Sequence, residues 1–514
     1  MKRYILALLA IFTSASAMAQ SGVLDASFAQ QGSYVFRPDT VTVCDESIID
    51  ASGRIVMAGW MEMPNSSNRV PMLLRLNENG MPDMSFGTGG YMDVSQVDIP
   101  GNLPYFGTVA QQSNGKYVAL GYDNYDGHQL FRFNEDGGFD NSFSSTPFML
   151  HRAGMYSSIV DSQDRTVIAC FYFPDDDIYQ YYGNVAVMRF AADGALDLSF
   201  GEGGMRLIGN LENDERCYDI AVDEFDNVYV SGYWAPSLGG GTSSARVYSL
   251  NTAGQLRSDF GADGVVEVAV GSGVYNGFSG VAVTNNGDIL ACGHRYTTQT
   301  FIQQGTIMRF TPQGQTIASF GTGGVHLSND SDAEYRKIAE LPNGHIAVAA
   351  RVKNPSFDYD ARISLVDAGG VTVETFGTAG NSSLFDVGAG DESPKDVLVD
   401  TNANILVAGY GFAVAENPEL GILYGTKGFI ARYTNSPLSR VEDIASEQTD
   451  VYPNPVSSIL YCTHAVGQSY TLINTNGQII DSGVYNTNGL DLSQLPLGIY
   501  LLKMEDSTHV VVRE

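Results

Sequence analysis

The sequence predicts an all-β protein: a seven-bladed β-propeller followed by a small C-terminal β-sandwich of immunoglobulin-like type. Three observations carry this prediction. A unit of 56 to 60 residues recurs seven times, each unit holds four short strand patterns, and no amphipathic helical pattern interrupts them. The length of 514 residues and the 44% hydrophobic content are sufficient for a large folded core.

A phenylalanine marks each repeat. These anchors are Phe28, Phe86, Phe143, Phe200, Phe260, Phe320 and Phe376. A second anchor is an apolar strand such as GRIVMAG (53–59), and a third is an alternating run before a glycine turn, such as LLRLNENG from Leu73. In the first full unit, strands are predicted over 41–50, 54–58, 72–77 and the segment 86–94.

The two ends of the repeat array complement each other. The anchor at Phe28 has no strands before it, and the last unit stops after Tyr433 without an anchor of its own. We therefore expect residues 23–36 to supply the fourth strand of the last blade, because closure removes exposed sheet edges. The propeller is predicted over 20–436.

In three units an arginine on the third strand precedes an aspartate by eight residues. In the last unit, the N-terminal segment supplies the missing aspartate. We expect an ion pair across each of these hairpins, and the last pair would complete the ring. The predicted structural pairs are Arg75 with Asp83, Arg132 with Asp140, Arg189 with Asp197, and Arg432 with Asp25. Arg309 breaks the pattern, since Ile317 stands in its aspartate position.

The N-terminus has the pattern of a secretory signal peptide over residues 1–19. Lys2 and Arg3 precede the apolar stretch 5–12, and Ala17-Met18-Ala19 provides a cleavage site. The apolar stretch is too short to span a bilayer, and no later window is apolar enough, so no transmembrane segment is predicted.

Charge and cysteine content narrow the class of partner. Asp and Glu number 58 against 28 Lys and Arg, for a formal charge of -30. This balance argues against nucleic acid and against an anionic lipid surface, both of which need a basic face. Five widely spaced cysteines suggest neither a disulfide framework nor a zinc site.

The C-terminal part follows a polar linker at 437–450. Short alternating strands with Asn-Gly and Pro-Asn turns over 451–514 predict the small sandwich. Its most distinctive residues are Tyr452, Pro453, Asn454, Pro455, Gly498 and Tyr500.

Both parts resemble known families. LDLSFGEGG (196–204) and MPDMSFGTGG (81–90), coupled to GRIVMAG and LLRLNENG, are similar to the delta-60 repeat family, which implies an extracytoplasmic seven-bladed propeller. YPNP at 452–455 and LPLGIYLL at 495–502 resemble the type A C-terminal sorting domain of the type IX secretion system. That resemblance implies Sec export, the type IX machinery as a partner, and a secreted or cell-surface protein. The family's lysine-rich ending is replaced by HVVVRE.

Long, dissimilar second-to-third-strand loops, which include 410–427, are predicted to share one face with the connectors between blades. Both tryptophans and several tyrosines and aspartates fall there, and aromatic rings beside carboxylates suit sugars. The candidate ligand-binding residues are Trp60, Tyr125, Asp126, Asp175, Asp176, Asp177, Tyr181, Trp234, Tyr296, Asp358 and Tyr359. The same residues could instead brace neighbouring loops, and an extracellular protein is the other partner considered.

No catalytic residue is predicted. The seven histidines have no metalloprotease spacing, and no nucleophile elbow is present. The leading expectation is a binding or structural module, and the alternative is a polysaccharide hydrolase or lyase whose paired carboxylates converge across the propeller. No cofactor is predicted. Calcium binding is left as an open alternative, with Asp175-Asp176-Asp177 or the segment 123–127 as the ligands, although neither segment has EF-hand spacing.

Overall fold

The structure, a computed structural model, describes most of the chain from residue 21 onward. The described ranges are 21–36, 40–63, 68–92, 103–123, 127–150, 153–173, 183–209, 213–236, 242–268, 274–297, 299, 301–330, 332–388, 390–417, 421–435, 451–452, 454–462, 467–474, 478–504 and 508–513. The predicted signal peptide and linker lie outside them. The chain divides into two compact units, 1–436 and 437–514, and each is described by itself.

Every regular element in these ranges is a β-strand, so the predicted all-β class is confirmed. Within the described residues, no helix is long and apolar enough to cross a membrane. The strands of the first unit form seven small antiparallel sheets in the same ranges, numbered here sheet 1 to sheet 7 in chain order.

The N-terminal strand is β1 (Ser33–Val35). Sheet 1 contains β2 (Thr42–Ile49), β3 (Ile55–Glu62) and β4 (Arg69–Leu76). Sheet 2 contains β5 (Tyr105–Gln111), β6 (Tyr117–Tyr122), β7 (Gly127–Phe133) and β8 (Phe148–Met149). Sheet 3 contains β9 (Gly154–Val160), β10 (Thr166–Tyr172), β11 (Asn184–Phe190) and β12 (Met205–Ile208). Sheet 4 contains β13 (Asp214–Val222), β14 (Val228–Ala235), β15 (Ser244–Leu250) and β16 (Val265–Val268).

Sheet 5 contains β17 (Val274–Val283), β18 (Ile289–Thr297), β19 (Gln304–Phe310) and β20 (Val325–Leu327). Sheet 6 contains β21 (Ala333–Glu340), β22 (Ile346–Lys353) and β23 (Tyr359–Val366). Sheet 7 contains β24 (Glu392–Val399), β25 (Ile405–Asn417) and β26 (Gly421–Tyr433), and β1 completes it.

The first strands of the seven sheets contact one another in succession, and β24 contacts β2, so they form a closed inner ring. Two opposite ends of the sheets can then be distinguished. The turn face carries the short turns between first and second strands, such as 50–54, and between third and fourth strands, such as 77–81. The loop face carries the connections between second and third strands and the links from sheet to sheet.

Each sheet is buried on both sides, which explains why the second strands are nearly continuous apolar runs. In β22, Ala347 and Ala349 pack toward sheet 7, whereas Ile346, Val348 and Ala350 pack toward sheet 5. Equivalent apolar clusters lie between all successive sheets. The cluster between sheets 7 and 1 joins them in the same way, so the core is a closed ring of seven interfaces within the described residues.

The two chain ends meet in sheet 7. Strand β1 pairs with β26 in antiparallel register, with Tyr34 opposite Ile430. The Gly22 N–H donates to the Thr434 carbonyl at 2.7 Å, and the Thr434 N–H donates to the Val23 carbonyl at 2.9 Å. The N-terminal segment therefore supplies the outer strand of the last sheet.

Two details of the strand prediction were wrong. In sheets 1 and 6, isolated bridges replace the expected fourth strand, such as Tyr91 with Leu74. In sheet 1 the described part of this segment ends at Met92, whose N–H donates to the Leu73 carbonyl of β4 at 2.9 Å, and the predicted strand residues 93–94 lie outside the described ranges. The segment 410–427, expected to be a loop, is largely strand, because the β25–β26 ladder continues to Asn417 opposite Gly421.

The second unit contains two sheets around one apolar core. Its strands are β27 (Val451–Tyr452), β28 (Ile459–Cys462), β29 (Ser469–Asn474), β30 (Ile479–Val484), β31 (Leu490–Asp491), β32 (Gly498–Met504) and β33 (Thr508–Arg513). One sheet has the order β27-β28-β31 and the other β30-β29-β32-β33. The core includes Leu460, Leu472, Leu502 and Val511.

The distinctive residues of this unit serve its fold. The Asn454 side chain donates to the Val510 carbonyl at 2.6 Å and accepts the Val512 N–H at 2.8 Å, which fastens the entering chain to β33. Tyr500 is buried, and its hydroxyl donates to the Pro496 carbonyl at 2.8 Å. Tyr452 is 53% exposed beside Tyr461. Gly498 begins β32, Pro455 follows Asn454, and Pro453 lies outside the described residues.

Candidate functional site

On the turn face, an arginine of the third strand lies next to an aspartate beyond the hairpin in four sheets. The Nε to Oδ2 distances are 2.9 Å for Arg75 and Asp83, 2.7 Å for Arg132 and Asp140, 2.8 Å for Arg189 and Asp197, and 2.9 Å for Arg432 and Asp25. These side chains are mostly buried, with Arg75 only 1% exposed. Burial acts to raise the pKa of Asp83, but hydrogen bonds from Ser85 and the charge of Arg75 hold it below its usual range.

The same arginines also join successive sheets. Nη1 of Arg132 donates to the Ala192 carbonyl in the next third-to-fourth turn at 2.8 Å, and Nη1 of Arg432 reaches the Glu78 carbonyl in sheet 1 at 2.8 Å. Each guanidinium also covers its phenylalanine anchor, as Arg132 covers Phe143 at 4.6 Å. These contacts join each hairpin to its own sheet and to the next one, so the arrangement braces the ring on the turn face.

Sheets 4 and 5 vary this arrangement. Arg309, which has Ile317 in the aspartate position, pairs instead with Asp288 at 2.9 Å and still donates to the Ala368 carbonyl of the next sheet at 2.8 Å. In sheet 4 the arginine occupies the aspartate position: Arg257 pairs with Asp259 at 2.8 Å.

The loop face holds the candidate ligand-binding residues that the structure describes, but in strands more often than in loops. Trp60 lies in β3, Trp234 in β14, Tyr296 in β18 and Tyr359 at the start of β23; Asp358 precedes that strand. Their predicted placement in loops was wrong because the ladders extend past the apolar core, as in Trp60 opposite Pro71. Tyr125, Asp126, Asp175, Asp176, Asp177 and Tyr181 lie outside the described residues.

These residues do not form one platform. The Trp60 ring packs against Tyr105 at 5.8 Å between centroids, and the Arg69 guanidinium covers it at 4.3 Å. Trp234 is covered by Arg246 at 5.0 Å.

In sheets 5 and 6, Tyr296 stacks on Tyr275 at 5.0 Å and 13°, and Tyr359 lies under Arg351 at 4.0 Å. The N–H of Asp358 donates to Asn354 Oδ1 at 3.1 Å. The described candidates therefore occupy separate positions around the loop face, each with its own neighbours.

The inner ring contains a polar cluster that the sequence did not predict. Every first strand shifts register by a bulge, and the residue after the bulge lies opposite an equivalent second-strand position, as Glu46 opposite Ala58 and Asp396 opposite Ala408. The equivalent positions in the seven sheets are Glu46, Thr108, Ser157, Asp219, Gly280, Lys337 and Asp396. We call these seven residues the channel floor.

Contacts of the channel floor cross between sheets that are not neighbours. The Lys337 ammonium in sheet 6 contacts Asp219 in sheet 4 and lies 3.8 Å from Asp396 in sheet 7. The Ser157 hydroxyl lies 3.1 Å from both Glu46 and Asp219. Backbone N–H groups complete the shell: Val109 donates to Glu46 at 2.9 Å.

Burial and neighbouring charges shift the pKa values of the charged floor residues. Burial raises the pKa of Glu46 to about 8 and that of Asp396 to about 6. Burial would lower the pKa of Lys337, but the surrounding carboxylates raise it above its ordinary value. At neutral pH the floor therefore contains a protonated Glu46 beside the ion pair of Lys337 and Asp219. In the part of the chain that the structure describes, no three His, Cys, Asp or Glu side chains are placed to hold a metal ion.

Beyond the floor, toward the loop face, tyrosines lie in the first and second strands of sheets 2, 4 and 7. We call Asp45, Tyr122, Tyr218, Tyr233, Lys395 and Tyr410 the channel mouth. Tyr218 and Tyr233 lie 6.0 Å apart, and Lys395 Nζ lies 5.3 Å from the Tyr410 ring. Burial, followed by the charges of Asp45, Tyr105 and Tyr410, raises the pKa of Tyr122.

Comparison with family models agrees with both halves of the structure. Residues 450–514 match the secretion system C-terminal sorting domain, and residues 51–86 match the domain of unknown function (DUF5122) beta-propeller. These matches support a β-propeller with delta-60-like repeats followed by a type IX sorting domain, which marks proteins exported to the cell surface or the extracellular space. The type IX secretion machinery is accordingly a partner.

Similar solved structures share low identity with this chain. An α-L-arabinanase from Penicillium chrysogenum is 11% identical, with a TM-score of 0.36 over 69% of this chain and 98% of that one. A family PL25 ulvan lyase is 12% identical, with a TM-score of 0.37 over 66% and 80%. A glucose dehydrogenase is 10% identical, with a TM-score of 0.36 over 63% and 95%. No curated protein matches the sequence significantly.

Proposed function

We propose that this exported propeller is a binding module whose ligand, a saccharide, occupies the channel mouth on the loop face. The observation that carries the proposal is the set of tyrosines around the mouth above a closed polar floor. Half-buried rings such as Tyr122, Tyr218 and Tyr410 offer faces for the apolar side of a sugar, while their hydroxyls serve as donors and acceptors.

The balance of charge at the mouth favours a neutral sugar. Burial raises the pKa of Asp45 to about 6, and the positive charge of Lys395 opposes this shift. The Arg336 guanidinium contacts Glu334 on the same strand. Among the described residues in the mouth and beside it, cations and carboxylates thus offset one another, which favours an uncharged ligand. The floor below favours binding over catalysis, because Lys337, Ser47, Ser157 and backbone N–H groups already occupy its carboxylates.

A glycan array tests the proposal. The parent should bind at least one class of saccharide, and Tyr122→Ala and Tyr410→Ala should each weaken that binding about ten-fold. Phe225→Ala is the matched control, since Phe225 is 70% exposed in a turn-face loop, and it should bind like the parent. Trp60→Ala and Trp234→Ala test the original candidates in the same format. Absence of binding by the parent, or full binding by both tyrosine variants, would contradict the proposal.

A second candidate function is a polysaccharide hydrolase or lyase. One observation favours it: Glu46, whose pKa burial raises to about 8, shares one cluster with Asp219 through the Ser157 hydroxyl, and a carboxyl group with a raised pKa near a second carboxyl group suits acid–base chemistry. Release of soluble products from dye-labelled polysaccharides, abolished in Glu46→Gln, would support the enzyme. Binding without any turnover would support the binding module.

A further inference from the structure

Two phenylalanines stand exposed on the loop face of adjacent sheets. Phe301, between β18 and β19, is 68% exposed, and Phe357, between β22 and β23, is 78% exposed. Both have left-handed backbone, with φ of 53° and 74°, a conformation in which glycine or asparagine is more stable than an aromatic residue. Neither turn geometry nor core packing therefore accounts for a phenylalanine at these positions.

A single aspartate braces both loops. Oδ1 of Asp332 accepts the Gln303 N–H at 3.3 Å from the loop that carries Phe301. On the other side, Oδ2 of Asp332 lies 3.3 Å from Lys353 Nζ, and the Tyr359 hydroxyl lies 3.5 Å from Oδ1. Phe301 is two residues from Gln303, and Phe357 is four residues from Lys353 and two from Tyr359. Asp332 therefore contacts both of the loops that carry the exposed rings.

Each exposed ring also has an aromatic neighbour. Phe301 lies 6.4 Å from Tyr296, which stacks on Tyr275. Lys353 Nζ lies between the rings of Phe357 and Tyr359, at 5.6 Å and 5.7 Å. The result is two small aromatic surfaces separated by a paired lysine and aspartate. We call Tyr296, Phe301, Asp332, Lys353, Phe357 and Tyr359 the rim site.

We propose that the rim site is an outer subsite for a sugar unit of a neutral glycan chain, and this inference rests on the proposed function. A pyranose ring has an apolar face surrounded by hydroxyl groups. The aromatic rings of the rim site can stack on such a face, and the polar groups beside them can form hydrogen bonds with the hydroxyls. A protein partner would call for a contiguous apolar patch instead. The ion pair of Lys353 and Asp332 leaves the site without net charge, which favours a neutral sugar and provides polar partners for its hydroxyls.

A chain-length series tests the rim site. Cello-, xylo-, manno- and laminari-oligosaccharides of two to six units are titrated calorimetrically into the mature protein, into the double variant Phe301→Ala/Phe357→Ala, and into Phe225→Ala as the turn-face control. The affinity of the parent should rise with chain length. The double variant should lose about ten-fold for six units and nothing for two, and Phe225→Ala should match the parent. The melting temperature of the double variant should not fall, because both rings are exposed.

The outcomes separate the two proposals. If the parent binds and the mouth variants weaken binding, but the double variant keeps the parent's affinity at every length, the rim site is overturned and the channel mouth stands. If the double variant weakens binding while Tyr122→Ala and Tyr410→Ala do not, the rim site stands and the mouth is overturned. A parent that binds no member of the series overturns both.

Discussion

The two faces of the propeller use arginine differently. On the turn face, Arg132 forms an ion pair within its own hairpin and donates to a backbone carbonyl of the next sheet at 2.8 Å, and this geometry recurs around the ring. On the loop face, Arg351 lies 4.0 Å above Tyr359 and pairs with the half-exposed Asp391. The loop-face arrangement differs from sheet to sheet.

This difference separates support from recognition. A contact that recurs at equivalent positions and satisfies every polar group serves the ring as a whole. Side chains that differ between sheets, and that leave aromatic faces at the surface, are free to serve a ligand. The channel floor lies between the two faces and shares a property with each. Its positions are equivalent from sheet to sheet, as on the turn face, but its residues differ, as on the loop face.

The largest effect is expected at the channel floor. Lys337→Met would leave buried Asp219 and Asp396 without their cation, and should lower the free energy of unfolding by about 3–5 kcal/mol at pH 7. Part of this loss should be recovered toward pH 5, where Asp396 protonates because burial raises its pKa to about 6. Urea denaturation measures both. Lys353→Met, on the loop face, should cost less than about 1 kcal/mol; equal losses would show that the floor is no more critical than the rim.

The pH dependence of stability should report Glu46. Because its folded pKa is raised to about 8, the unfolded chain releases the proton first, so Glu46 destabilises the fold progressively from about pH 4.5 to pH 8. Relative to Glu46→Gln, the parent should lose at most about 1.4 kcal/mol per pH unit in this window, or about 2 kcal/mol between pH 5 and pH 7. Denaturation series at several pH values check this. A constant gap between parent and variant would contradict it.

The comparison between faces can be tested on matched arginines. Arg132→Ala removes an ion pair, a carbonyl contact and a ring contact, and should cost about 2 kcal/mol. Arg351→Ala removes a partly exposed pair and should cost less than about 1 kcal/mol. Thermal unfolding of the two variants measures the difference. If Arg351→Ala is the more damaging, the loop face is also a brace.

Ring closure should have an effect similar to that of an ordinary hairpin. Asp25→Ala removes the partner of Arg432 across the two chain ends, and Asp83→Ala removes the partner of Arg75 within one hairpin. Each should cost about 1 kcal/mol. The idea that the N-terminal segment closes the ring fails if Asp25→Ala leaves the melting temperature unchanged while Asp83→Ala lowers it.

Much of the fold could be predicted because the same sequence pattern recurs in each repeat. The spacing of the phenylalanine anchors predicted the succession of sheets, and the eight-residue interval from Arg75 to Asp83 indicated which side chains could meet. Asp25 could be assigned to Arg432 only because three other units supplied the same template. The all-β class and the exported propeller with its sorting domain were confirmed.

The site was less accessible to sequence reasoning, for two physical reasons. The channel floor depends on a bulge in each first strand, and the place of that bulge decides whether Glu46 or its neighbour faces the floor. Its signal was a polar residue at an equivalent place in six of the seven first strands, but these strands carry other polar residues as well. On the loop face, the prediction that Trp60 and Trp234 lie in loops was wrong because the ladders extend past the apolar core. The rim site could not be predicted because it depends on Asp332, which joins two loops.

The central claim is that the loop face binds the ligand and the turn face holds the ring. Tyr122 and Arg132 test it within one sheet, by parallel measurement of melting temperature and of calorimetric affinity for the best oligosaccharide of the series. We predict that Tyr122→Ala loses about ten-fold in affinity at temperatures where it is folded, whereas Arg132→Ala loses several degrees in melting temperature and binds like the parent where folded. A variant Arg132→Ala that weakens binding as much as Tyr122→Ala does, or a Tyr122→Ala that binds like the parent, would contradict it.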